Sequence, residues 1–451
     1  MILGCTSELE YLNTCYARAG SQIMVVYGAK NVGKTTLLEQ FVKDKPCYYY
    51  RARSLSEREQ RYQWGRELGM KSVKYPSYVE ILQFLVRDNT VKPVIFIDEF
   101  QHIIKSGDEF MKALVYFVHN NASGIPVMVV LGSSATGWVE NSMIVKIGEA
   151  AYGLSGLLKI RELGFEALRE YFQGFSMEEA VEAYAVLGGI PGLWKHFDDK
   201  VSIKANICRY ILSKDACLYE EGGKMVGEEL RETGVYNTIL ASVAAGNHKL
   251  NDLFLHTEFS RAKISVYLKN LMELELVEKI FSYDTEGKAN TQKGIYRISN
   301  HFVDFYFNYL FPNLSSLEKM LPEEFYNKYI APSFQNYVSG YFKLVCRQYI
   351  EKQGKEGKLP IEVDRIGQWV GKSGNIDIVA QNEKGKTVLG LCNWSAPVMG
   401  YEDYEGLLLC AEKARLQADY VYLFSAHRFD ERLCRYAKEK PNLKLISMEE
   451  M

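Results

Sequence analysis

Long apolar runs are missing from this chain. None of its 451 residues falls in a segment approaching the ~18 uninterrupted apolar residues of a membrane-spanning helix. Paired cysteines are missing too. The nine cysteines (Cys5, Cys15, Cys47, Cys208, Cys217, Cys346, Cys392, Cys410 and Cys434) are scattered, odd in number and never spaced C-x-x-C. That argues against a disulfide framework or a zinc site and predicts free thiols in a reducing compartment. No sign of charge dominates: 54 Lys and Arg face 56 Asp and Glu, for a net charge of −2. A protein that coats polyanions along its whole surface is excluded, whereas a local basic patch is not. Repeats and low-complexity tracts are absent, and the opening MILGC lacks the basic and apolar stretches of an export signal, so a cytoplasmic location is expected. What is present is ordinary for globular proteins, with 47% hydrophobic, 24% charged and 13% aromatic residues. At ~150 residues per domain the length suggests about three domains.

Four regions read differently along the chain. Residues 1–160 alternate short apolar runs, IMVVYG (23–28), CYYYRA (47–52), PVIFIDEF (93–100) and PVMVVLG (126–132), with helical stretches. Runs this short and this rich in β-branched and aromatic residues are what buried parallel strands look like, so an α/β unit with a parallel sheet is expected. Residues 161–225 are helical, with LGGIPGLW (187–194) as a turn between helices. Residues 226–320 predict helices near 235–245, 249–256 and 260–274, then strands near 277–283 and 294–299, which is the order of a winged helix-turn-helix. Residues 321–451 return to α/β. A helix near 332–350 is followed by strands at 361–370, 375–381 and 387–394, a helix near 401–416, a strand at 419–426, a helix near 430–439 and a strand at 443–447.

The sharpest chemical signal is Gly28-Ala29-Lys30-Asn31-Val32-Gly33-Lys34-Thr35, which fits G-x-x-x-x-G-K-[ST] at every fixed position and is followed by Thr36. An apolar strand precedes it and a helix follows. Glycines there let backbone N–H groups wrap a phosphate chain at a helix N-terminus, where anions are favoured. Lys34 is expected to reach the β- and γ-phosphates, and the Thr35 hydroxyl to sit on Mg²⁺. Asp98 closes the strand VIFID as the second Mg²⁺ ligand, and Glu99 is placed to act on an attacking water as general base. Lys34 and Glu99 are thus the expected catalytic residues, and ATP with Mg²⁺ the expected ligands. Ser133 and Ser134 end the strand PVMVVLG. Sensing of a γ-phosphate and a plain serine-rich turn are equal readings there.

The N-terminal half resembles the archaeal-type P-loop ATPases, a branch near the AAA+ and STAND ATPases. The residues that carry the resemblance are LGCTSELEYL, VVYGAKNVGKTTLL, VIFIDEF, VLGSSA, AYGLSG and LGGIPGLW. The likeness extends over the whole chain, because that family often adds a winged helix and a C-terminal PD-(D/E)XK-like domain. Two departures stand out. Gly4-Cys5-Thr6 replaces a usual Gly-Arg-Glu opening, and Leu154 replaces a usual arginine after Tyr-Gly. Both imply missing basic contacts, which bear on the hydrolysis rate more than on binding.

The third helix of the winged-helix segment carries Arg261, Lys263 and Lys269, with Ile264, Tyr267, Leu268 and Leu271 at core spacing. Basic residues on the outer face suit duplex DNA. Residues 231–300, however, hold nine Lys or Arg against eight Asp or Glu, and Glu273, Glu275 and Glu278 repel phosphates. DNA binding and a protein or self-association contact therefore stand side by side.

In the C-terminal region Asp377 matches the first acidic position of a PD-(D/E)XK nuclease. Similar proteins then read Gly-Glu-Cys-Lys-Trp where this chain has Gly390-Leu391-Cys392-Asn393-Trp394, and Gln335 stands where relatives commonly have Glu. Leucine cannot ligate a metal and asparagine supplies no positive charge, so the domain is expected to be a degenerate nuclease fold. Glu362 or Asp364 would have to migrate in as a ligand, and Lys372 or Lys386 as the cation, to rescue it. His119 and His301 lack Cys, Asp or Glu neighbours at metal-ligand spacing. The expectation is a Mg²⁺-dependent ATP-binding protein with slow ATPase activity that works as a nucleotide-dependent switch. The alternatives are a DNA-binding regulator with ATP as effector and, after it, an ATP-dependent nuclease.

Overall fold

β1 (Gln22–Tyr27) is buried along almost its whole length because layers cover both faces of its sheet. The same holds for β3 (Val94–Asp98) and β4 (Met128–Ser133). The computed structural model describes residues 4–70, 75–104, 107–121, 124–227, 230, 232–285, 294–371 and 374–451. The chain divides into two compact units: residues 1–163 with 190–192 and 273–275, and the remainder.

The first unit is built on a five-stranded sheet in the order β2-β3-β4-β1-β5, where β2 is Cys47–Arg51 and β5 is Gly156–Lys159. Every neighbouring pair runs parallel. Ile23 and Val25 of β1, Ile95 and Ile97 of β3, and Val129 and Leu131 of β4 alternate along their strands and join one core. That core is closed by Ile81, Leu82 and Leu85 of the helix Tyr78–Val86 and by Phe110, Met111, Leu114 and Phe117 of the helix Glu109–His119. Full burial of each such side chain contributes about 1.5–3 kcal/mol, which is why these runs cannot slip in register. Register then sets the site. Tyr27 pairs with Ser133, and Arg51 with Asp98, so the C-terminal ends of these parallel strands lie side by side. The four expected strands are present. β5 was not expected, since its four residues sit at the sheet edge with Leu157 exposed and show no buried run.

In the second unit, three helices (Thr233–Ala244, Leu250–Thr257 and Arg261–Glu273) precede an antiparallel pair, Val277–Ile280 with Ile295–Ile298. A 25-residue helix, Ala331–Lys355, leads into a second five-stranded sheet. Its first three strands, Arg365–Gly371, Gly374–Gln381 and Thr387–Asn393, pair antiparallel. The last two, Tyr420–Ser425 and Leu443–Ser447, add on in parallel beside Thr387–Asn393. The helix Tyr401–Ala414 covers this sheet through Tyr404, Leu407, Cys410 and Ala411.

Candidate functional site

The loop from Gly28 to Gly33 leaves the end of β1 and enters α-helix Lys34–Phe41. Two of its residues must be glycine. A Cβ on Gly28 would lie 2.2 Å from the Ile160 carbonyl oxygen, and Gly33 has φ +108°, where a side chain is strained. The Gly28 N–H donates to the Ser133 carbonyl at 3.2 Å, tying the loop to the end of β4. Val32 is buried, which anchors the loop, whereas Lys30, Asn31, Thr35 and Thr36 are exposed around it and Ala29 is half-buried. Lys34 is only 7% exposed, and its ammonium donates to the carbonyls of Gly28 at 2.8 Å and Ala29 at 2.9 Å. The lysine thus lies folded along the loop, charged and in reach of anything the loop cradles.

Asp98 and Glu99 stand at the end of β3. The Asp98 carboxylate accepts from the Tyr49 hydroxyl at 3.2 Å and from the Glu99 N–H at 3.0 Å. Burial raises its pKa, the charge of Glu99 adds to the rise, and Lys34 opposes it. Glu99 has φ +53°, a left-handed backbone rare for a residue with a side chain, and such strain concentrates at functional sites. Its Oε2 accepts from Gln101 Nε2 at 2.5 Å, the Ser134 N–H at 3.2 Å and the Ser134 hydroxyl at 2.7 Å. Burial pushes the Glu99 pKa up, but these donors and the nearby Lys34 charge outweigh it, and the net shift is downward. Fully buried Ser133 donates its hydroxyl to Gln101 Oε1 at 2.8 Å.

The expected site residues therefore gather at the C-terminal ends of β1, β3 and β4. Ser134 bonds Glu99 directly, whereas Ser133 bonds Gln101 and the Ala135 N–H and touches neither acidic residue. Three participants were not anticipated. Tyr49 was read only as part of a strand, and Gln101, just past the run 93–100, was not singled out. The turn at Ile190–Gly192 returns to the first unit, and its Gly192 N–H donates to the Asn31 carbonyl at 3.0 Å. A Cβ on Gly192 would meet Asn31 Cβ at 2.5 Å, which explains the glycine. The Gly-Gly-Ile-Pro-Gly string was the available signal.

Around Arg261–Glu273 the expected core residues Ile264, Leu268 and Leu271 are buried. Tyr267, expected with them, is not. It is half-buried, with its ring against Tyr236 and its hydroxyl turned to Glu232, because its position lies at the border of the apolar stripe. Arg261, Lys263 and Lys269 are exposed. The Arg261 guanidinium lies over Phe254 and also donates to Asn251 at 2.6 Å.

In the C-terminal sheet the Asp377 carboxylate meets Lys343 at 2.7 Å and accepts from the Cys392 N–H at 3.0 Å. Leu391 packs on the apolar cluster of Leu389, Val421 and Leu423. Asn393 donates to the Ala396 carbonyl at 2.8 Å. Gln335 bridges Trp394 Nε1, at 2.8 Å, and Glu182, at 2.6 Å. Glu362, Asp364 and Lys386 are exposed, and Lys372 lies outside the described residues. The Asp364 carboxylate accepts from the Glu383 N–H at 2.7 Å. Among the described residues no three His, Cys, Asp or Glu side chains gather as a metal cluster. The Nδ1 of His301 pairs with the Tyr184 carbonyl at 2.6 Å, and that of His119 with the Val115 carbonyl at 2.8 Å.

Comparison with known proteins bears on both parts of the chain. Residues 306–405 match a family described as archaeal and bacterial proteins of unknown function. An uncharacterized protein of Methanocaldococcus jannaschii is 28% identical over 409 residues, covering 86% of each chain. Among solved structures, a Walker-type ATPase of Pyrococcus abyssi aligns with a TM-score of 0.48 and 16% identity, over 68% of this chain and 96% of its own. The ORC2 protein of Aeropyrum pernix, in ADPNP and ADP complexes, aligns with a TM-score of 0.43 and 13% identity, over 70% of this chain and 95% of its own. Residues 6–197 match the family described as ATPase domains predominantly from Archaea, and that match spans the phosphate loop, the acidic strand end and the parallel sheet described above.

Proposed function

We propose that this protein binds ATP with Mg²⁺ at the C-terminal ends of the first sheet's strands, hydrolyses it slowly, and uses its nucleotide state as a switch for its second unit. The observation that carries the reading is the convergence of Lys34, Asp98, Glu99 and Ser134 around one loop at a helix N-terminus. A phosphate chain there would meet backbone N–H groups and the Lys34 ammonium. The donor set suits a hard divalent cation. Asp98 is a buried carboxylate whose pKa is raised by burial and by its neighbour Glu99, and a cation relieves both penalties. Asp98 and the exposed Thr35 hydroxyl would hold Mg²⁺, which would neutralise phosphate charge. Glu99, held ionised, would take a proton from the attacking water.

The second unit serves as the effector in this reading. Its three helices and hairpin form a winged helix whose exposed Arg261, Lys263 and Lys269 suit duplex DNA, a protein or a second copy of the chain. Its C-terminal sheet is a nuclease-like domain without nuclease chemistry, because Lys343 neutralises Asp377 and neither Leu391 nor Asn393 can complete a metal site. The test is phosphate release from ATP and Mg²⁺ by the full chain. Turnover is expected in the wild type and its loss in Glu99→Gln. Equal turnover in both would remove Glu99 from the chemistry.

A further inference from the structure

Strand alternation sorts the side chains of the second sheet onto two faces. Val421 and Leu423 of the strand Tyr420–Ser425, with Leu443 of the strand Leu443–Ser447, enter the apolar core of this unit. Tyr420, Tyr422, Phe424 and Lys444 therefore share the other face, and Tyr422 is the register partner of Lys444. The long helix Ala331–Lys355 meets that face where Tyr349 packs on Phe424, ring centroids 5.8 Å apart. Past Lys355 the helix closes in a left-handed turn. Gly357 has φ +67°, its N–H donates to the Gly354 carbonyl at 3.1 Å, and the Lys358 N–H donates to the Gln353 carbonyl at 2.9 Å. The chain after this turn and the starts of the two strands enclose a cavity of about 210 Å³, whose lining includes Lys358, Pro360, Tyr420, Tyr422, Asn442 and Lys444.

The lining is rich in donors and contains no acidic residue. Tyr422 is only 7% exposed, yet its hydroxyl makes no hydrogen bond among the described residues, and neither does that of half-buried Tyr420. A nearly buried hydroxyl without a partner is a costly arrangement that a ligand relieves. Burial raises the Tyr422 pKa, so the hydroxyl stays protonated and able to donate. Asn442 is held by its Nδ2, which donates to the Asp419 carbonyl at 3.0 Å and keeps a second amide hydrogen to offer. Lys358 pairs with Glu356 at 2.6 Å, whereas the exposed Lys444 ammonium has no ion pair among the described residues. Lys444 is therefore the principal cation of the cavity.

We propose that this cavity binds the phosphate group of a small molecule, either free phosphate or a phosphate monoester. An ionised phosphate offers acceptors only, which suits a lining made of donors. A monoester carries about −1.5 to −2 charge at pH 7, which Lys444 and Lys358 would meet. The Tyr420 and Tyr422 hydroxyls and the Asn442 amide would donate to its oxygens, and Pro360 would cover an organic part. The volume lies below the ~300–1,000 Å³ of pockets for drug-sized ligands, so the ligand is small. Two other places on the chain are excluded as the same site. The phosphate loop belongs to the first unit. Asp377 is bonded by the N–H of Cys392, which pairs with Phe424, towards the far end of the strand from Tyr420.

Calorimetric titration of the full chain with inorganic phosphate, ribose 5-phosphate and ribose tests the proposal. Saturable binding of phosphate or of the ester is expected, the tighter of the two naming the source of the phosphate group, and ribose should not bind. Lys444→Glu should weaken that binding by at least about tenfold. Tyr422→Phe keeps the ring and removes one donor, and should weaken it by about two- to tenfold. Thermal melts establish that both variants are folded. The phosphate loop is a second taker of these probes, so the titrations are repeated in Lys34→Ala, where the binding sensitive to Lys444 should persist. Absence of saturable phosphate or ester binding in the wild type, an affinity that either substitution leaves unchanged, binding that disappears in folded Lys34→Ala, or equal binding of ribose overturns the proposal.

Discussion

The Lys343 ammonium lies 2.7 Å from the Asp377 carboxylate, which is 7% exposed while the Lys343 side chain is 43% exposed. A cation from the long helix thus covers the one acidic residue that a nuclease reading of this sheet retains. The second oxygen of Asp377 is taken by the Cys392 N–H at 3.0 Å. The carboxylate is satisfied without a metal.

The purified protein is accordingly expected not to cut DNA with any divalent metal, with or without ATP. Plasmid nicking measures this. Cleavage that disappears in Asp377→Ala would restore the nuclease reading.

The same pair predicts a stability effect. Lys343→Met leaves a nearly buried carboxylate with a single donor and should cost about 1–3 kcal/mol. Adding Asp377→Asn removes the stranded charge and should recover part of that loss. Denaturant midpoints of the two variants check the order. A double variant less stable than Lys343→Met would show that the pair does not work this way.

Gly28→Ala should abolish ATP binding and destabilise the first unit. Its new Cβ would fall 2.2 Å from the Ile160 carbonyl oxygen, a backbone atom that cannot swing aside. Overpacking of this kind costs about 1–3 kcal/mol. Ligand titration and thermal melting of the variant are the measurements, and unaltered behaviour in both would contradict the loop geometry.

A buried network in the second unit predicts two opposed pH effects. Burial raises the Asp304 pKa to about 6 despite the 2.6 Å hydrogen bond from Tyr341, and burial lowers that of His301 to about 4. The Asp304 value lies above its unfolded value. Its stabilising contribution is full below about pH 4 and lost as pH rises through 6. His301 lies below its unfolded value, so its contribution is present above about pH 6.5 and lost as pH falls through 4. The two slopes oppose each other between pH 4 and 6. Asp304→Asn removes the falling one, and stability should then climb more steeply with pH in this window. Amide hydrogen exchange in the helix Ala331–Lys355 reads this, and an unchanged pH slope in the variant would refute it.

The parts of the fold and site that could be read from sequence are those where one physical demand dominates. β1, β3 and β4 announced themselves because both faces are buried and all but their terminal residues are apolar or glycine. The phosphate loop did so because only glycine tolerates the approach of Ile160 at Gly28 and the left-handed turn at Gly33. β5 gave no such signal, being four residues at an edge. Gln101 was hidden because an amide at a helix start looks like any polar surface residue, and only burial reveals that it bridges Glu99 and Ser133. Lys343 was hidden for a related reason: a lysine on a long amphipathic helix reads as a solvated charge until the sheet brings Asp377 beneath it.

Calorimetric titration of ATP with Mg²⁺ into the wild type and Lys34→Ala tests the central claim most directly. A charge-assisted hydrogen bond of this kind is worth about 1.5–3 kcal/mol, so affinity should fall by at least about tenfold in the variant. Equal ATP affinity in the two proteins would contradict the assignment of this loop as the nucleotide site.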